Sequence, residues 1–299
     1  MEILRIIKNN PGTKFRIGLL DNYDSIKIKV DKVPNGFFPR LFFVFYIELT
    51  YTWIYLRYRN KVLIQNKVST PYPFSIIFAK RLIIDLDDML KVNSEYLKQR
   101  IIRKCHIVAG TDHIANYYST NGDWVINTPA FSTSSPQTIR SECDNKFLLW
   151  VVQSGGLKYL TDEHLDVIKK SGFKLVVLSD IKVDHWDQYE YVTSLLWSEE
   201  LDKLLHGLCS GVIMPLLNID ECRLKCGYKA LVGLSYGKPV FTDNIGFNED
   251  LIERIHGVYN FNDLLNSLLT VDNIILPEEF SQAKFKLKYY ELLQNFQTT

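Results

Sequence analysis

Short runs of apolar and β-branched residues recur along this chain. Between many of them lie stretches in which apolar positions return every three or four residues. KFRIGLL, SIKIKV, KVLIQN, RLIIDLD, HIVAG, WVIN, FLLWVV, FKLVVLS, GVIMPL and PVFTD read as strands. SEYLKQRIIRKC, TDEHLDVIKKSG and EELDKLLHGL read as amphipathic helices. The alternation predicts an α/β protein with largely parallel sheets. PEEFSQAKFKLKYYELLQNF predicts a terminal helix with an acidic first turn. FSTSSPQTIRSECDN, residues 131–145, holds Ser, Thr and Pro without an apolar cluster and predicts a linker. The expected division is an N-terminal domain over 1–140, a second domain over 141–275, and a C-terminal helix over 276–299.

The most hydrophobic stretch is FFPRLFFVFYIELTYTWIYLRYR, residues 37–59. Arg40, Glu48 and Arg57 interrupt it, which argues against a membrane span of about 20 apolar residues. The plain reading is a buried helix or helix pair. The sharper one is an aromatic, interface-seeking surface that makes peripheral contact with a bilayer. MEILRIIKNN lacks the long apolar core of a signal peptide. Apolar residues make up 46% and charged residues 23%, which argues against disorder as the main state. The net charge of +1 gives no global field to recruit nucleic acid, so no nucleic-acid partner is expected. Cys105, Cys143, Cys209, Cys222 and Cys226 are odd in number, irregular in spacing and without a zinc pattern. They read as reduced, buried thiols of a cytosolic protein.

Five places along the chain carry candidate chemistry. In RLIIDLDD a buried strand ends in Asp85, Asp87 and Asp88. These carboxylates suit helix capping and solvation, sugar-hydroxyl binding, or a divalent metal. In HIVAGTDHIANYY a strand runs into Gly110 and Thr111 and then a helix, whose first amides attract anions; a plain capped turn is the bland alternative. LLWVVQSGGLKYL ends a strand in Ser154, Gly155 and Gly156, where a backbone approaches a ligand closely, although no full dinucleotide fingerprint is present. Trp197 precedes a short helix and reads either as core or as a platform for a base. In KCGYKALVGLSYGKPV, a helix of about 100° per residue aligns Lys225, Lys229, Val232 and Tyr236 on one side and Cys226, Ala230, Leu231 and Leu234 on the other. Two cations beside a helix start, with Gly227 and Tyr228 in the first turn, make either a solvated stripe or a diphosphate clamp.

Taken in order, these motifs resemble the retaining glycosyltransferases of the two-domain GT-B type, in the large bacterial family four. The likeness runs over residues 75–255 and is carried best by KCGYKALVGLSYGKPVFTDNIGFNEDLI. It implies two Rossmann-like domains facing across a cleft, the N-terminal one on the acceptor side and here atypical. It implies a nucleotide-sugar donor as substrate, no cofactor, and no bound metal. Lys225 and Lys229 would carry the catalytic charge. Ser154, Gly155, Gly156, Trp197, Gly227, Tyr228, Val232, Asn248 and Glu249 would line the donor. Asp85, Asp87, Asp88, Gly110 and Thr111 would face the acceptor, a glycan, polysaccharide or lipid-linked sugar. The implied location is cytoplasmic, or peripheral at the inner face of the membrane.

The chain departs from that family in three ways. Val232 stands where a glutamate usually holds the ribose, and Leu224 falls at the upstream acidic position. The first 75 residues lack the expected opening strand with its glycine-rich loop. The histidine expected in the N-terminal half has no clear counterpart. These departures motivate a second reading, an inactive or weakly active GT-B protein that serves as a binding or scaffold subunit.

Overall fold

A computed structural model describes residues 2–8, 16–28, 34–68, 70–118, 125–130, 146–186, 188–265 and 274–298. The chain forms two compact units, 1–129 with 282–299, and 130–281. The linker predicted at 131–145 lies outside the described residues.

The first unit holds a parallel sheet in the order β2-β1-β3-β4-β5. Its strands are β1 (Ile3–Lys8), β2 (Asp24–Ile28), β3 (Val62–Asn66), β4 (Leu82–Leu86) and β5 (His106–Ala109). An opening strand therefore exists, contrary to the expectation. It was hidden because Arg5 and Lys8 break the apolar run of ILRIIK. Both cations are buried on carbonyls: Arg5 donates to Ile17 and Gly18 at 3.4 and 3.3 Å, and Lys8 to Val68 at 3.0 Å. KFRIGLL is not a strand; its described part is a 3-10 turn, Ile17–Leu19, whose Ile17 and the following Leu20 enter the core. WVIN contributes a single bridge, Val125 to Ala109.

Residues 37–59 yield one helix, α1 (Phe37–Arg57), with Ile47, Glu48, Tyr51, Ile54 and Tyr55 buried. It is not the buried helix expected, because most of its remaining aromatic residues are exposed. Among the described residues, no helix is long and apolar enough to cross a membrane. Further along lie α2 (Glu95–Lys104) and α3 (Asp112–Tyr118).

The terminal helix, α9 (Gln282–Thr298), starts later than predicted and has no acid in its first turn. Glu278 and Glu279 sit instead in a separate turn, Glu278–Phe280. Phe285, Tyr289, Leu292 and Leu293 of α9 share a core with Ile3, Val62, Ile64, Ile83 and Val108. The helix thus completes the first unit and is no separate element. Apolar spacing marked the helix but not the sheet it would cover.

The second unit holds a parallel sheet in the order β11-β10-β9-β6-β7-β8. Its strands are β6 (Phe147–Val152), β7 (Lys174–Ser179), β8 (Val192–Leu196), β9 (Gly211–Met214), β10 (Val240–Thr242) and β11 (Val258–Asn260). β8 and β11 were not foreseen: Thr193 and Ser194 interrupt the first, and VYN is too short to stand out. Both faces are covered, as parallel sheets require. Leu149, Val212 and Leu231 lie in one core, while Leu148, Ile213 and Phe241 lie in the other, following the two-residue period of a strand. The helices are α4 (Asp162–Ser171), α5 (Glu199–Leu208), α6 (Asp220–Arg223), α7 (Tyr228–Ser235) and α8 (Phe247–Arg254). The chain moves outward from β6 to β8, then returns to place β9 on the other flank of β6. The strand order reverses there, and crevices at the carboxyl ends of such a switch point are where open α/β sheets take ligands.

Candidate functional site

At the carboxyl edge of the second sheet, β6 is followed by Ser154, β7 by Asp180, and β8 by Trp197. Ser154 donates from its backbone amide (2.5 Å) and its hydroxyl (3.1 Å) to the two carboxylate oxygens of Asp180. This ties the loops after β6 and β7 together. An added Cβ at Gly155 meets open space, whereas one at Gly156 would lie 2.8 Å from Val152. Trp197 is 50% exposed, so it is not core. Its indole N–H donates to Asp202 at 3.2 Å. That bond fixes the orientation of the ring, and half of the residue's surface stays exposed.

The segment after β9 differs from the expected single helix. α6 ends at Arg223, Lys225 follows in a loop, and α7 begins at Tyr228. Gly227, at φ +63°, caps α7 from the left-handed region and breaks the helical register. Lys225 therefore does not share a helix face with Lys229 and Val232. The two lysines nonetheless remain neighbours. Burial first and Lys225 second bring the Lys229 ammonium down to about 7, against the opposing pull of Asp202 and Asp180. Lys225 Nζ stands 5.0 Å from the Tyr159 ring centroid, with Lys158 Nζ at 5.3 Å from the same ring. Lys158 pairs with Glu221 at 3.2 Å. The Tyr159 hydroxyl is pushed up by burial and by Cys222 and Glu221 nearby.

The first hydrogen bond within α7 runs from the Leu231 amide to the Gly227 carbonyl, and no side chain caps the helix. The amides of Tyr228, Lys229 and Ala230 then have no carbonyl within the helix to receive them. Lys225 stands just before these N–H groups and Lys229 lies in the first turn, at the positive end of the helix dipole, a setting that in general attracts anions.

The loop before α8 braces this arrangement. Gly246, at φ +57°, lies so close to the chain that an added Cβ would fall 2.2 Å from the Arg223 carbonyl oxygen. Asn248, expected at the donor, is buried and donates to the Thr242 hydroxyl at 2.6 Å. The residue is 1% exposed and its side chain supports the loop. Glu249 is exposed in the first turn of α8. Leu224 is buried, and Val232 is partly exposed on α7.

The residues expected to face an acceptor are mostly structural. Asp85 and Arg16 form an ion pair with no exposed side-chain surface. Tyr289 donates to the other Asp85 oxygen at 2.8 Å. Asp85 is fully buried and engaged on both oxygens, so it presents no surface to a sugar. Burial opposes the charge of Arg16, but Asp85 beside it holds the guanidinium above its ordinary value. Gly110 packs against β4: its amide donates to Leu86, and a Cβ would lie 3.0 Å from that carbonyl oxygen. Thr111 is buried and accepts from the Ile114 amide at 3.2 Å. This is a capped turn and offers no ligand surface. Asp87 and Asp88 are partly exposed and meet Lys67 at 3.1 and 3.5 Å.

Sequence reasoning missed Asp180, Asp202 and Lys158, because a single charge in a loop has no pattern until the sheet gathers it. It also missed His164, whose Nε2 lies 3.1 Å from Asp243 Oδ2; that oxygen accepts from the Leu216 amide at 2.6 Å. Among the described residues, no group of three or more His, Cys, Asp or Glu side chains is placed to hold a metal ion. Cys105, Cys209, Cys222 and Cys226 are buried thiols outside any disulfide.

No family model matches the chain, and no curated protein matches it in sequence. Solved structures do match in fold. HepE from Anabaena, in complex with UDP and glucose, superposes with a TM-score of 0.62 at 14% identity, over 99% of this chain and 100% of that one. AviGT4, a glycosyltransferase involved in avilamycin A biosynthesis, superposes with a TM-score of 0.66 at 11% identity, over 99% and 98%. UDP-N-acetylglucosamine 2-epimerase from Rickettsia bellii reaches 0.61 at 9% identity, over 100% and 96%. The chain thus has the α/β architecture of two parallel sheets found in GT-B proteins. That architecture serves glycosyl transfer and epimerisation alike, so activity must be argued from the site.

Proposed function

We propose that this chain is a retaining glycosyltransferase that takes a sugar from a nucleoside-diphosphate donor and places it on a glycan, polysaccharide or lipid-linked acceptor. The observation that carries this reading is that Lys225 precedes, and Lys229 lies in, the first turn of α7, a helix with no side-chain cap that follows β9 in the second sheet. In such a transfer the bond from the anomeric carbon to the diphosphate oxygen breaks. Negative charge grows on the leaving diphosphate as the sugar carbon becomes cationic. Fixed positive groups at that oxygen stabilise the transition state more than the bound donor. Lys225 and Lys229 fill that role, and the exposed face of Trp197 is the candidate platform for the base. HepE and AviGT4 support the reading as neighbours in fold.

Val232 favours a second reading, a scaffold subunit with little or no activity. A valine accepts no hydrogen bond, so a buried ribose hydroxyl left unpaired would cost on the order of 1 kcal/mol or more. Thermal-shift titration with UDP, ADP and other nucleoside diphosphates separates the two, because a ligand bound to the native state raises the melting temperature by mass action. The transferase reading expects stabilisation by at least one of them and its loss in Lys229→Ala. Failure of every nucleotide to shift the protein, with recovery in Val232→Glu, would favour the scaffold. Product analysis with the donor that binds then tells transfer from epimerisation.

A further inference from the structure

The N-terminal half of α1 is apolar but takes no part in the core of its unit. None of residues 37–46 is buried, and Phe38 and Phe42 are 69% and 72% exposed. The surface continues along the helix to Trp53, and sideways from Phe45, whose ring lies 6.5 Å from that of Phe74, to the exposed Ile77 and Phe78. A contiguous apolar patch of this kind marks an interaction surface.

The charges around it indicate what covers it. Residues 34–61 contain one carboxylate, Glu48, and it points inward. Glu48 is buried, accepting from the Thr70 hydroxyl at 2.8 Å and the Ser75 amide at 2.9 Å. The carboxylate that interrupts the apolar run in sequence is therefore absent from the exposed face. The exposed charges on α1 and just beyond it are Arg40, Arg57 and Arg59, all positive, in a chain whose net charge is only +1. Arg57 lies 5.4 Å from the Trp53 ring and 5.7 Å from the Tyr58 ring. Aromatic rings paired with a guanidinium at a helix end suit the level of lipid headgroups. A second copy of the chain fits less well. A two-fold pairing of α1 helices would bring cations towards cations at the ends with no exposed carboxylate on the helix to answer them.

We propose that the exposed face of α1 docks on an anionic lipid bilayer, with its aromatic residues at the acyl boundary and its arginines among the headgroups. The helix lies on the membrane without crossing it. This docking does not depend on the transferase reading, and its test uses no sugar chemistry.

Co-sedimentation of the full chain with vesicles of phosphatidylcholine, alone and mixed with phosphatidylglycerol, measures it. Binding is expected to the mixed vesicles, weakening as salt rises. The double variant Phe38→Ser/Phe42→Ser should abolish binding while leaving far-ultraviolet circular dichroism and melting temperature unchanged, because both side chains are exposed. Arg40→Glu/Arg57→Glu should reduce the preference for anionic vesicles by on the order of tenfold or more. Absence of binding to either vesicle would overturn the proposal. Sedimentation velocity shows what replaces it: a dimer that Phe42→Ser converts to monomer, without vesicle binding, would assign the face to self-association.

Discussion

Lys229 and Lys225 lie on opposite sides of a helix boundary, yet burial first, and then the repulsion of the Lys225 ammonium, hold Lys229 at about 7. Against its ordinary 10.5, this is a destabilised cation. Between those values the unfolded chain binds the proton and the native chain does not, so stability rises with pH across that window. Below about 7 both states are charged, and the burden of the cation in the fold is fully present. Lys229→Met should therefore raise the melting temperature near neutral pH and flatten its pH dependence, while removing nucleoside-diphosphate binding. Thermal unfolding from pH 6 to 10, with and without nucleotide, checks this. Equal pH slopes in the two proteins would remove the assignment.

The same depressed cation predicts proton uptake on binding. A diphosphate beside Lys229 restores its charged form. At pH 8 most of the free protein carries a neutral amine there, since the group titrates near 7. Calorimetric enthalpies of nucleotide binding at pH 8 should then vary with the ionisation enthalpy of the buffer. The variation should largely vanish at pH 6 and in Lys229→Met.

Two glycines with positive φ predict opposite sensitivities. Gly246 faces the Arg223 carbonyl, and an added Cβ would fall 2.2 Å from its oxygen. Gly237, at φ +67°, has nothing within 4 Å of that position. Gly237→Ala should cost about 1–2 kcal/mol, the ordinary penalty for a left-handed residue. Gly246→Ala must also displace the backbone that leads to Lys225, so it should cost more and weaken nucleotide binding as well. Urea denaturation and thermal-shift titration of both variants measure the contrast.

Trp197 offers a prediction about binding with little effect on folding. Its ring is half exposed, and its one polar atom is tied to Asp202. Loss of a stacked base should cost roughly 1–3 kcal/mol in Trp197→Ala. Trp197→Phe should keep most of that affinity, and both variants should melt close to the parent. Weakened binding in the phenylalanine variant equal to that in alanine would point to the indole N–H, not the ring, as the contributing group.

Much of this architecture can be read from the sequence, and the exceptions have physical causes. Strands with continuous apolar runs, such as Phe147–Val152, stand out because both faces are buried. β1 did not, since Arg5 and Lys8 are buried on carbonyls contributed by segments distant in sequence. Lys229, Gly227 and Trp197 were visible as types and spacings. Lys225 was placed on the wrong element, because a wheel drawn through Gly227 cannot register a left-handed residue. The aspartates after β4 looked alike in sequence. Only the fold separates Asp85, paired in the core, from Asp87 and Asp88 on a partly exposed edge. What decides that is Arg16 from one segment and Tyr289 from the last helix, and no local pattern connects them.

The ion pair of Asp85 and Arg16 gives the last test. Neither side chain has exposed surface, and Tyr289 supplies a further hydrogen bond to the carboxylate. Removing one member leaves the other buried and unanswered, which typically costs about 3–5 kcal/mol. Asp85→Asn should therefore lower the stability of the first unit by that amount, and Tyr289→Phe by about 1.5–3 kcal/mol, the range for a hydrogen bond to a charged group. In urea the two compact units can unfold in separate transitions, and the earlier-shifting one should be that of the first unit. The stabilisation given by nucleotide to the second unit should persist in both variants. Were Asp85→Asn to leave the unfolding transitions in place and reduce only turnover with an acceptor, Asp85 would regain the substrate role that its buried position argues against.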